Sequence, residues 1–174
     1  MADERADDLR RLDYEQTNDL LRTLTDVRFK LLAVVPTLAG AAVAFLGRGR
    51  PAAELLAVGL VGLVATLGLV LYEIRNTQMY DYAVARASSL ETQLGIGLFK
   101  DRPGKSIRVF GIGVAGHDHA LAYVYGAAIA AWTYLVVWGG LRALHVGSAQ
   151  KIGGIVGVVV GVLALVELLR VRTR

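Results

Sequence analysis

The stretch "LLAVGLVGLVATLGLVLYEIRNTQMYDYAVARASSLETQLG", Leu55–Gly95, decides the fold. Its first half, Leu55–Tyr72, is an almost unbroken apolar run close to the roughly 20 residues a membrane helix needs. In its second half Tyr80, Ala83, Ala87, Leu90 and Leu94 recur at strict three-four spacing among polar residues. No Gly or Pro interrupts Tyr72–Leu94, so the spacing predicts one helix that leaves the bilayer and continues into water. Gly95 is placed to cap it.

The same pattern stands upstream in reverse order. Leu31–Leu46 is a second apolar run, extended by Phe29 and the snorkelling stem of Lys30. Before it, Leu9, Leu12, Leu20, Leu24, Val27 and Leu31 recur at helical spacing with no breaker between Glu4 and Lys30. Asp3, Glu4, Asp7 and Asp8 suit the positive end of that helix. Each polar arm would reach roughly 35 Å at 1.5 Å per residue. The link between the runs, Gly47–Glu54, is short, so the two helices form an antiparallel hairpin, half in lipid and half in water. The seam of this stalk is expected at Leu20, Leu24, Val27, Leu90 and Leu94. Pro36 removes one backbone hydrogen bond and is expected to kink the first span passively.

Two further apolar runs, Ala120–Leu141 and Ile152–Leu169, are joined by the short link Arg142–Lys151 and form a second hairpin. The sequence therefore predicts an all-α membrane protein with four transmembrane helices, the first two extended into a cytoplasmic stalk. The expected parts are the long hairpin 1–96, a basic, Gly-rich cytoplasmic link 97–118, and the second transmembrane hairpin 119–174. Composition agrees: 55% of the residues are hydrophobic and mean hydropathy is +0.49, too apolar for an ordinary soluble domain. The N-terminus is charged and lacks an apolar core, so no signal peptide is read there. Fifteen Lys and Arg lie in the termini and the middle link and four in the two short links, which predicts an inner-membrane protein with both termini cytoplasmic. Tyr72 and Tyr123 then fall near the inner face and Trp138 near the outer one.

Small residues spaced four apart allow helix backbones to approach closely in lipid. Gly153, Gly157 and Gly161 do so in the fourth span, Ala122, Gly126 and Ala130 in the third, and Gly40 with Ala44 in the first. These are the candidate helix-packing residues. The spacing leaves open whether the partner helix belongs to the same chain.

"SIRVFGIGVAG", Ser106–Gly116, ends in Gly111-x-Gly113-x-x-Gly116, the local form of a dinucleotide fingerprint. A working fingerprint needs a βαβ unit and an acid about 20 residues on. Here the next helix enters the membrane, Ala131–Val137 holds no acid, and no second strand is expected to pair with the first. A flexible or re-entrant turn feeding the third span is the preferred reading. Lys100, Arg102, Lys105 and Arg108 precede that helix and could attract an anion, a lipid headgroup first. His117, Asp118 and His119 invite a metal reading, but adjacent helical positions point apart, and Asp118 is better read as an N-cap. Glu73 with Arg75, and Glu167 with Arg170, are read as interfacial anchors or mutual pairs.

The absences narrow the function. The chain has no Cys, no ionisable residue near the centre of any span, and no paired-carboxylate or nucleophile constellation. No enzymatic activity, cofactor, metal or nucleic-acid partner is expected. Tyr72-Glu73-x-Arg75-Asn76, Leu90-Glu91, and His119 with Tyr125 and Trp132 resemble a pattern in small bacterial four-span membrane proteins. In layout, the first 95 residues resemble two-span membrane effectors of bacterial nucleotide-signalling defence systems. That likeness implies a protein that oligomerises and perturbs the membrane, from which the second pair of spans departs. The leading expectation is an oligomeric membrane effector or channel-like protein, in which Thr37, Thr66 and Thr133 are the few polar residues available to line a pore. Behind it stands a non-conducting anchor or scaffold whose stalk recruits a cytoplasmic protein. A small transporter or membrane enzyme comes third.

Overall fold

The computed structural model describes residues 2–45, 51–99, 106–109, 112–115 and 117–172. These form α1 (Ala2–Phe45), α2 (Ala52–Leu94), a β-hairpin of β1 (Ser106–Val109) and β2 (Ile112–Ala115), α3 (His117–Ala143) and α4 (Ala149–Arg172). Among the described residues three helices are long and apolar enough to cross a membrane: α2, the Ala120–Ala143 part of α3 and the Ala149–Val171 part of α4. They mark the chain as a membrane protein. α1 is not one of the three, because its described apolar part runs only from Leu31 to Phe45, below the length a span needs.

The helix ends follow from local chemistry. The Pro51 carbonyl accepts from the Glu54 and Leu55 amides and opens α2. Gly95 closes α2 at φ +71°, with the Ile96 amide bonded back to the Glu91 carbonyl, as its position after Leu94 predicts. His145 takes the same left-handed role after α3 at φ +60°, bonding Arg142 while Val146 bonds Leu141. α1 stays helical through Pro36. α3 opens at His117, so Asp118 lies in its first turn and not at the flanking cap position expected for it.

Two compact units divide the chain, and each takes one part of α1 and of α2. The first comprises residues 1–31 and 71–105, the second residues 32–70 and 106–174. In the first unit the buried positions of α2 are Glu73, Asn76, Ala83, Ala87, Leu90 and Glu91, which carries the three-four stripe through polar as well as apolar residues. Facing them on α1 are Thr17, Leu21 and Arg28. Leu21, Ala83 and Ala87 are the centre of a core that Tyr14, Tyr80, Val84 and Phe99 complete.

In the second unit glycines set the spacing. A Cβ on Gly62 would lie 2.4 Å from the Trp132 ring, one on Gly59 2.8 Å from the Val136 amide, and one on Gly139 2.6 Å from the Leu56 amide. α2 and α3 are therefore in backbone-to-backbone contact there. The small hairpin corrects the expectation of an unpaired strand and a turn. β1 and β2 pair antiparallel, Val109 opposite Ile112 and Arg108 opposite Gly113. Ile107, Val109, Ile112 and Val114 are β-branched and alternate along the two strands, a composition suited to extended backbone. Gly113 thus lies within a paired strand, and Gly111 and Gly116 fall outside the described residues.

Candidate functional site

The first unit carries the features with chemistry to offer. Its seam is closed by charge at one end. Arg28 Nε stands 2.7 Å from Glu73 Oε1, and the two side chains are 9% and 1% exposed. Arg28 Nη2 donates to Thr77 Oγ1 at 2.6 Å, Thr77 donates on to Glu73 at 3.5 Å, and the guanidinium carbon lies 5.6 Å from the Tyr80 ring centroid. Asn76 donates to the Leu24 carbonyl of the facing helix at 3.3 Å. A buried ion pair adds little net stability over apolar packing, but it penalises every register that separates its partners. The expected pairing of Glu73 with Arg75 is replaced: Arg75 is exposed and donates to Gln78 at 3.4 Å. One turn of α2 points Glu73 inward and Arg75 outward. Glu167 and Arg170 do pair, at 3.8 Å on an exposed surface.

Farther along, Glu91 is fully buried and holds the chain as it doubles back after Gly95. Its carboxylate accepts from the Tyr14 hydroxyl at 2.9 Å and from the Phe99 amide at 3.0 and 2.8 Å. Burial pushes the Tyr14 phenol above its ordinary value of 10.0, and the Glu91 carboxylate adds to the shift against an opposing Asn18 hydrogen bond. Arg86 and Asp13 form a further ion pair across the hairpin. Phe99 then lies on Ala83 and Ala87, whose short side chains leave it room.

Of the residues expected in the stalk seam, Leu90 is 2% exposed, and Leu24, Val27 and Leu94 are half-buried. Leu20 is 39% exposed, outside the seam expected for it, and Leu9 and Leu12 of the same helical pattern are more exposed still. At 3.6 residues per turn, the row Leu9, Leu12, Leu20 and Val27 lies about 110° around α1 from Thr17, Leu21 and Arg28. The helix has two stripes, and the more leucine-rich one is outside. A third face of α1 borders a groove of ≈570 Å³ in the same unit. Leu21, Tyr80 and Phe99 form its buried and half-buried floor, exposed Phe29 and Leu98 its sides, and Arg22 its lip.

The expected packing residues meet within one chain. A Cβ on Gly157 would come within 2.7 Å of the Ala130 carbonyl, one on Gly161 within 2.5 Å of Ala130 Cβ, and one on Gly126 within 3.2 Å of Leu165 Cβ. Gly153 faces Trp138 and Tyr134 at 3.2 Å, and Ala122 is fully buried. α3 and α4 thus use these residues against each other. Gly40 meets nothing within 4 Å among the described residues, and the side chain of Ala44 lies outside them. Lys100, Arg102 and Lys105, the expected anion-binding residues, lie outside the described residues, and Arg108 stands on β1. Sequence reading gave no role to Arg28, Asn76, Thr77 or Glu91, of which Asn76 and Glu91 entered only through a resemblance. The available signal was that each falls on or beside the seam stripe, where a polar residue asks for a partner. No family model matches the chain, and neither does any curated protein or solved structure.

Proposed function

We propose that this chain is an oligomeric membrane effector or channel-like protein whose water-side helical hairpin is its assembly element. One observation carries the reading. The hairpin fills its own seam with Thr17, Leu21, Arg28 and their partners, yet α1 still presents Leu9, Leu12 and Leu20 to solvent. Exposed leucines in a row on a helix already packed along another stripe are the mark of a contact with a further protein surface. In this reading Leu31–Leu46 is a fourth span, both termini are cytoplasmic in an inner membrane, and the bilayer and other copies of the chain are the partners. No catalytic step is assigned. The test is native mass of the purified protein in detergent together with ion flux from liposomes that contain it. Oligomers and flux support the proposal; a monomer in a sealed membrane refutes it.

A second reading, a non-conducting anchor whose hairpin recruits a cytoplasmic protein, has its own support. Thr66 and Thr133 are buried in packing, and the Thr37 hydroxyl donates to the Ala33 carbonyl at 2.7 Å. Of the three threonines that sequence offers for a pore, two are thus taken up in the chain's own packing and only Thr37 is exposed. Oligomers without flux favour this reading.

A further inference from the structure

The strap of four residues after Gly95 has little hold of its own. Gly95 turns the chain at φ +71° and the Ile96 amide caps α2, but Ile96, Gly97 and Leu98 are all exposed. Phe99 is the half-buried one, and it is seated twice. Its backbone amide donates to the Glu91 carboxylate, and its ring packs on the core of Leu21, Ala83 and Ala87. Both seats are shared with α1. Tyr14 donates to the same carboxylate, and Leu21 belongs to the same core. We infer that Glu91 is a latch that makes the closure of α1 onto α2 and the anchoring of the strap Ile96–Phe99 one conformational event, so that opening of the hairpin is passed on to the chain beyond Phe99.

The coupling follows from burial. Glu91 is fully buried, and a charge in such a place is tolerated because donors meet it. Oε1 takes both the Tyr14 hydroxyl and the Phe99 amide, and Oε2 takes the amide again. When Tyr14 leaves with α1, water reaches the carboxylate, and a hydrated carboxylate gains little from the Phe99 amide. The Phe99 ring loses Leu21 from its seat in the same step. In the other direction, a strap that lifts lets water to Glu91 and uncovers the core on which α1 rests. A coupling free energy is reciprocal: strain placed in the strap loosens α1 as surely as a change in α1 loosens the strap. Every residue of the latch lies in the first unit, and after Phe99 the chain runs on toward β1 and α3.

Two substitutions load the latch from its two ends, in the full-length protein in detergent. Tyr14→Phe removes one hydroxyl from α1 and leaves every atom of the strap in place. Gly95→Ala strains the positive-φ reversal, while its Cβ meets nothing within 4 Å. Amide exchange at Phe99 reads the strap. Thiol labelling of Thr17→Cys, a buried seam position of α1 in a chain with no native Cys, reads the hairpin. Tyr14→Phe should speed Phe99 exchange by about 10- to 100-fold, the factor set by one hydrogen bond to a charged acceptor. Gly95→Ala should speed labelling of Thr17→Cys by about fivefold. Amides of α3 and α4 should keep their rates in both variants. If Tyr14→Phe speeds the labelling of Thr17→Cys and leaves Phe99 unchanged, or Gly95→Ala speeds Phe99 and leaves Thr17→Cys unchanged, strap and hairpin open separately and the inference is overturned. It is overturned equally if neither readout moves, or if α3 and α4 loosen by the same factor, since strap and hairpin would then share only the stability of the whole chain.

Discussion

Glu73→Gln is the most informative single perturbation of the hairpin. The substitution keeps shape and volume but removes the charge facing Arg28. The guanidinium would then stay in a site where it is 9% exposed, with Thr77 and the Tyr80 ring as its remaining partners. Removing one member of a buried ion pair costs about 3–5 kcal/mol. The Thr77 hydrogen bond and the slight exposure of Arg28 put this case at the lower end, about 3 kcal/mol. At 1.4 kcal/mol per tenfold, that is roughly a 150-fold rise in the population of opened hairpin. Amide hydrogen exchange reads such openings directly. Amides of α1 around Leu21–Arg28 and of α2 around Asn76–Ala87 should exchange faster by about that factor, while those of α3 and α4 keep their rates. The paired change Arg28→Met with Glu73→Leu should restore protection to near the starting value, since apolar replacement of both partners is often neutral or stabilising. If Glu73→Gln leaves exchange in the hairpin unchanged, or if the double variant is as open as the single one, the charge pair does not hold the seam and the reasoning fails.

Three other outcomes follow from the same geometry. Gly161→Ala should cost about 1–3 kcal/mol of overpacking against Ala130 and lower the thermal midpoint in detergent, whereas Gly140→Ala, with nothing within 4 Å, should not; equal effects would refute the ridge assignment. The raised phenol of Tyr14 means that the folded state favours its protonated form, so its contribution is whole below pH 10.0 and is lost as pH rises through the higher folded value; Tyr14→Phe should flatten that alkaline loss of hairpin protection and cost about 1.5–3 kcal/mol below it. Ser89 and Ser148 are both exposed, so cysteines there differ in accessibility by side of the membrane and not by burial: an impermeant reagent outside intact cells should label Ser148→Cys and spare Ser89→Cys, and the reverse would invert the topology.

What could be read from the sequence depended on whether the signal was local. The α2 stripe, the Gly95 cap and the Gly153–Gly157–Gly161 spacing are periodic within a single helix and stood out in the residues themselves. The α1 seam did not, because its inward positions include Thr17 and Arg28, while the more leucine-rich stripe faces outward. A count of apolar residues at helical spacing follows leucine and so selects the wrong face. Glu73 reads from sequence as an interfacial anchor or as the mate of Arg75, because sequence shows i,i+2 proximity and conceals that a helix turns such pairs apart. Glu91 is polar by type and fully buried by position, and its partners lie on another helix and beyond a chain reversal. The hairpin of β1 and β2 was hidden by its glycines, which suggested a turn before the alternation of Ile107, Val109, Ile112 and Val114 could suggest strands. Gly59, Gly62 and Gly139 lack the four-residue repeat, so their close contacts emerge only when α2 and α3 are placed side by side.

The first unit is discontinuous in sequence: residues 1–31 are finished by residues that begin at 71, and Tyr14 finds Glu91 seventy-seven positions later. That order has a consequence for biogenesis. During synthesis the N-terminal arm emerges first and finds none of its buried partners. Arg28 waits for Glu73, Tyr14 for Glu91, and the Ala83–Ala87 surface for Phe99. Between them the ribosome must deliver the apolar stretch that includes Leu55–Tyr72, which is drawn to the bilayer as soon as it appears. The hairpin therefore closes only after insertion has begun, from an arm that must stay solvated in the interval. Its acids and arginines keep it so, and the register they later enforce is chosen at the membrane and not before it.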